Sequence, residues 1–75
     1  MNEVTKFLEA NGFVEISENR YGNDMCSIVI NKLNYAITNI NNGNTVYGND
    51  LSIYWLIGVL TYYGYMDKNY KQLNK

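Results

Sequence analysis

The chain has 75 residues, seven acidic and six basic side chains, a net charge of −1, one Cys, and neither His nor Pro. That length fits one domain spanning residues 1–75. The near-neutral charge leaves no electrostatic footprint for nucleic acid and is too weak to imitate one, and the missing His removes the commonest acid–base group and metal ligand. The lone Cys26 allows no internal disulfide, which fits a reducing cytoplasm. The N-terminus, Met-Asn-Glu-Val, has neither a basic stretch nor an apolar one behind it, so no signal peptide is read and the expected location is cytoplasmic.

In chain order, Asn2 reads as the cap of a short helix over residues 3–10. Val4, Phe7 and Leu8 share one face of it, and Glu3, Lys6 and Glu9 point outward. Asn11-Gly12 closes the helix, with Gly12 at the left-handed position that ends many helices. Residues 13–18 alternate and predict a half-buried strand with Val14 and Ile16 inward. Residues 19–24 are polar, contain Gly22 and read as a loop. Residues 25–32 form a second strand with Cys26, Ile28 and Ile30 on the inner face. Leu33-Asn34 turns the chain into a third strand over 35–40, with Tyr35, Ile37 and Asn39 on one face. Asn41-Asn42-Gly43-Asn44 carries the strongest short hairpin signal and leads to a short last strand over 45–47.

Residues 51–65 hold the only Trp and half of the eight Tyr. The spacing predicts the main helix, capped by Asn49 or Asp50 and stopped at Gly64. Ser52, Ile53, Leu56, Ile57, Leu60 and Tyr63 share its core stripe. Burying the four aliphatic members contributes roughly 1.5–3 kcal/mol each, gross. The run is too short and too polar to span a membrane. A pair of strands with a bulge at Gly58 is the serious rival, and length and caps decide for a helix. Gly58 then either lets the helix lie close on the sheet or leaves room at a contact between two copies. Residues 66–75 turn polar, with Lys68, Lys71 and Lys75; Tyr70 and Leu73 pin this tail back, or it frays. The fold expected is α+β, in the order α-β-β-β-(β)-α. A three- to four-stranded antiparallel sheet carries an N-terminal and a C-terminal helix on one face.

No residue set points to catalysis, a cofactor or a metal. Cys26 alternates with apolar residues and has no base beside it. The carboxylates are scattered, with no pair set to face across a cleft. Asn23-Asp24 and the 41–44 run lack the carboxylates a Ca²⁺ loop needs, so turn chemistry accounts for them. The glycines form no phosphate loop. The informative feature is aromatic. Tyr54, Trp55, Gly58, Thr61, Tyr62 and Tyr65 fall on the outer face of the main helix, and Tyr and Trp are enriched at protein interfaces. They form a candidate protein interface, with Tyr47 as a further aromatic. The competing account has them covering the sheet edges.

The α-β-β-β-α order resembles the double-stranded RNA-binding domain in topology. That family's second helix opens on a basic cluster, whereas the matching positions here are Asn49, Asp50, Leu51 and Ser52, which argues against RNA. The segment Leu51-Ser-Ile-Tyr-Trp-Leu-Ile-Gly-Val-Leu-Thr-Tyr-Tyr-Gly-Tyr-Met-Asp-Lys-Asn-Tyr70, with Phe-Leu-Glu-Ala-Asn-Gly-Phe at 7–13, looks like small orphan proteins of phages and mobile elements. Thirteen Asn and eight Tyr, residues with AT-rich codons, fit an AT-rich bacterial host. Several anti-CRISPR inhibitors are similar in size and in mixing short helices with a small sheet. The resemblance implies a phage-type accessory or inhibitor acting on a host protein, and it carries over no functional residue. The function expected is therefore a non-enzymatic protein-binding module without cofactor, whose partner is another protein. A homodimer with Trp55 near its mate is one form of this. One alternative is a nucleic-acid-binding module, needing Arg20, Lys32, Lys68, Lys71 and Lys75 on one side with Tyr rings stacking bases. The other is a structural subunit of a larger assembly.

Overall fold

The pattern Leu-x-x-x-Gly-aromatic occurs at residues 8–13 and again at 60–65, and each copy stops a helix. In the computed structural model, which describes residues 3–71, α1 spans Glu3–Ala10 and α2 spans Ile53–Tyr62. Gly12 and Gly64 take φ of +90° and +77°, a conformation glycine adopts without the penalty a Cβ would bring. The next aromatic then bonds back: the Phe13 N–H to the Leu8 carbonyl at 3.0 Å, and the Tyr65 N–H to the Leu60 carbonyl at 2.8 Å. This closure turns the chain toward the core, and both leucines and both aromatics are buried.

Between the helices lie β1 Val14–Ser17, β2 Arg20–Gly22, β3 Cys26–Asn31, β4 Asn34–Asn39 and β5 Thr45–Gly48. They form one antiparallel sheet in the order β1-β2-β3-β4-β5, so the described residues make an α+β fold with five strands. The strand beyond the expected three or four is β2, inside the stretch read as a loop. It has three residues, of which only Tyr21 is large and apolar, so it shows no alternation. Asn19 makes the turn before it at φ +64°, and its carbonyl accepts the Ile30 N–H at 2.9 Å. The β3–β4 turn is Lys32-Leu33, because Asn31 pairs with Asn34; Lys32 sits at φ +60°. The 41–44 hairpin forms as expected. The Asn39 side chain accepts the N–H groups of Asn41 and Asn42, and Gly43 takes φ +78°.

Tyr21, Ile28, Ile37 and Val46 are aligned across neighbouring strands and share one sheet face. Both helices cover that face: Phe7, Leu8, Leu56 and Leu60 belong to the same buried cluster as Tyr21, Cys26, Ile28, Tyr35 and Ile37. Ile30 is only partly buried, packed against the cluster. The alternate row, Arg20, Val29, Ala36 and Tyr47, faces away from the helices.

The half-buried strand expected with Val14 and Ile16 inward is not found: all four residues of β1 are exposed. Val14 and Ile16 are 63% and 57% exposed. The closure of α1 places Phe13 in the core, so Val14 and Ile16 turn outward. Glu15 pairs with Tyr21, and the register shifts between Glu15 and Ser17. Ile16 lies over Gly22, its Cδ1 2.6 Å from where a Cβ on that glycine would sit.

Past Gly64, Tyr65 and Met66 are buried. The Asn23 side chain donates to the Tyr65 carbonyl at 2.8 Å. The Tyr70 ring meets Phe7 edge-on at 6.2 Å. Asn11 exchanges two hydrogen bonds with the Lys71 backbone: the Lys71 N–H donates to Oδ1 at 2.6 Å, and Nδ2 donates to the Lys71 carbonyl at 2.8 Å. Asn2, Leu73 and Lys75, to which the sequence assigned roles, lie outside the described residues. No helix among the described residues is long and apolar enough to cross a membrane.

Candidate functional site

Helix α2 begins later than expected. Ser52 is its cap, with extended backbone and an Oγ that accepts the Trp55 N–H at 3.2 Å. Asn49 and Asp50 are therefore not caps. They precede a strap in which the Leu51 N–H bonds the Leu33 carbonyl at 3.0 Å. The helix carries no charged residue. Leu56 and Leu60 are fully buried, and Ile53, Ile57 and Val59 pack against the cluster as partly buried residues. Tyr63 leaves the predicted core stripe: it is the C-cap, and about half of it is exposed.

The outer face presents Tyr54 and Tyr62, 86% and 81% exposed, and Trp55, 54% exposed. Gly58 lies between them, and no heavy atom comes within 4 Å of the place its Cβ would occupy. The close-approach account of Gly58 therefore fails, because nothing approaches it. Thr61 is partly buried, and its hydroxyl donates to the Ile57 carbonyl of its own helix at 2.6 Å. Tyr65 does not belong to this face. The left-handed turn at Gly64 breaks the helical step and sends it into the core. Tyr63 takes its place: it meets Tyr62 edge-on at 4.9 Å and stacks on Tyr65 at 5.6 Å and 17°. The buried Tyr65 thus supports the exposed pair.

Tyr47 stands apart from this set, on the helix-free face of the sheet. There Val29, Asn31, Asn34, Ala36, Tyr47 and Asn49 help line an open concavity of about 500 Å³. The sequence reading missed it. Its signal was the small or amide residues at alternate positions of two paired strands.

Burial pushes the Cys26 thiol from 9.0 up to about 12, so it stays protonated and unreactive at neutral pH. The Asn23 side chain accepts the N–H groups of Met25 and Cys26 at 2.8 and 3.0 Å, a turn-forming role. Among the described residues, no three His, Cys, Asp or Glu side chains are grouped to hold a metal ion. Set against family models, curated proteins and solved structures, the chain finds no match.

Proposed function

We propose that this protein does no chemistry and works by binding another protein through the outer face of α2. In this reading it is a cytoplasmic accessory or inhibitor protein, of the phage type, acting on a host protein. One observation carries the reading: the far side of α2 is aromatic, uncharged and open to solvent, while the near side already supplies the core. Large exposed apolar patches on small proteins mark contact sites, and Trp and Tyr are the usual anchors. The partner surface this fits is neutral and apolar, with acceptors for the tyrosine hydroxyls. Nucleic acid is the weaker reading. Arg20 belongs to the helix-free row of the sheet, whereas Lys71 is tied to Asn11 at the end of α1.

The test pairs Trp55→Ala with Tyr62→Ala. Wild type is used to capture a protein from a native-host lysate, and that protein is then purified. Trp55 is the only tryptophan, so its emission should shift to the blue when the purified partner covers it. The double variant should keep its fold, with affinity reduced about 100-fold or more. Unchanged affinity, or a double variant that unfolds readily because these rings are core, would sink the proposal.

A further inference from the structure

The two edges of the sheet are built differently. At the β1 edge the register shifts between Glu15 and Ser17, and Glu15 and Glu18 bring carboxylates; both devices blunt an edge against pairing. At the β5 edge neither exists. The β4–β5 register is unbroken, and residues 41–49 contain no charge and no Pro.

The ladder shows which β5 groups are on offer. The Asn39 N–H bonds the Asn44 carbonyl at 2.8 Å. Bonded and non-bonded pairs alternate in an antiparallel ladder. With Thr38 opposite Thr45 and Ala36 opposite Tyr47, those two are the non-bonded pairs. The N–H and C=O groups of Thr45 and Tyr47 therefore point away from β4, out of the sheet. Among the described residues no strand lies beyond β5 to take them.

We propose that a second copy of this chain adds its own β5 across this edge, antiparallel, to give a two-fold dimer with one continuous sheet. The edge is self-complementary. An axis at Val46 sets Thr45 of each copy opposite Tyr47 of the other. Four hydrogen bonds then satisfy all the outward groups of both strands. Nothing charged meets its own mate, because the edge is neutral. The two-fold contact uses the same edge of both copies, so the assembly closes at two and does not grow into a fibre. Each Tyr47 ring, now 79% exposed, comes to rest over Thr45 of the other copy. This contact is separate from the α2 face.

The experiment is sedimentation of the full chain across a concentration series, for wild type, Tyr47→Pro and Trp55→Ala. Proline at 47 removes an outward N–H and no β4–β5 bond, as edge strands tolerate. Wild type should self-associate below about 1 mM. Tyr47→Pro should weaken this roughly 30-fold, through two hydrogen bonds lost of four, and Trp55→Ala should leave it unchanged. Amide exchange is the second measurement, informative even if the proline variant fails to fold. The Thr45 and Tyr47 amides of wild type should be protected at high concentration and exchange freely on dilution. A wild type monomeric at 1 mM overturns the proposal. So does a dimer that Trp55→Ala dissociates, or one whose Thr45 and Tyr47 amides exchange at the same rate at every concentration.

Discussion

Gly58→Ala separates what α2 does for the fold from what it does for a partner. Glycine in a helix interior is about 1 kcal/mol less favourable than alanine, because its unfolded backbone has more freedom to lose. The added methyl meets nothing within 4 Å, so no strain offsets the gain. The variant should be more stable by about 0.5–1 kcal/mol. In a chain of this size that raises Tm by roughly 2–8 °C. Urea unfolding followed by circular dichroism should show a higher midpoint with an unchanged slope. The same methyl projects between Tyr54, Trp55 and Tyr62. A partner packed closely against Gly58 would have to give way, at about 1–3 kcal/mol for an overpacked contact, or roughly 5- to 150-fold in affinity. Stability and binding should therefore move in opposite directions in one variant. A fall in Tm would refute the reasoning, since it would mean that the space at Gly58 is filled in the folded chain. A rise in Tm with unchanged partner affinity would remove Gly58 from the contact.

Two further outcomes follow from burial. Ile28 is fully buried and aligned with Tyr21 and Ile37, so Ile28→Ala should cost about 2–5 kcal/mol, against a total stability of about 5–15 kcal/mol. Ile16→Ala, on the open side of β1, should cost less than about 1 kcal/mol. Equal losses in thermal unfolding would restore the inward phase for β1. For Cys26, the folded thiol holds its proton to about 12 against an ordinary 9.0. Below pH 9 both states are protonated and the thiol adds no slope. As pH rises from about 9 to 12 the unfolded chain ionises first, so stability falls with up to one proton's slope. Cys26→Ala should shallow that alkaline loss. An identical slope would mean that the thiol is reached by water.

What the sequence made legible is local and strongly specified. The two Gly-aromatic stops were readable because only glycine takes the required φ cheaply. The Asn-Gly hairpin and the alternation of β3 and β4 were readable because each strand carries several apolar residues of one parity. The rest depends on partners distant in the chain. Phe13-Val14-Glu15-Ile16 offers apolar residues on both parities; two against one favoured Val14 and Ile16, but closure of α1 anchors the one. β2 is a strand because β1 and β3 flank it, not because its residues insist on it. Three good caps stand in a row at 49, 50 and 52, and the Leu51–Leu33 bond selects Ser52. At the candidate site, Tyr63 and Tyr65 exchange places because the 100° helical step ends at Gly64.

The distribution of charge ties the two proposed contacts together. Of the thirteen charged side chains, Asp50 alone falls within residues 33–66. That segment contains β4, β5 and all of α2. Tyr47, Tyr54 and Tyr62 are so exposed that Lys or Glu in their places would cost the core nothing and would raise solubility. A small chain that places all but one of its charges before residue 33 or after residue 66, yet leaves these positions neutral and aromatic, keeps them suited to contact. The two contacts do not compete. α2 lies over one face of the sheet, and the open groups of β5 point out along the strand plane. Pairing through β5 would leave both α2 faces free, so a dimer would hold two partners, or one partner at two sites. Loss of the β5 contact should then weaken capture on a surface dense in partner, through lost avidity, and leave the one-to-one affinity in solution unchanged.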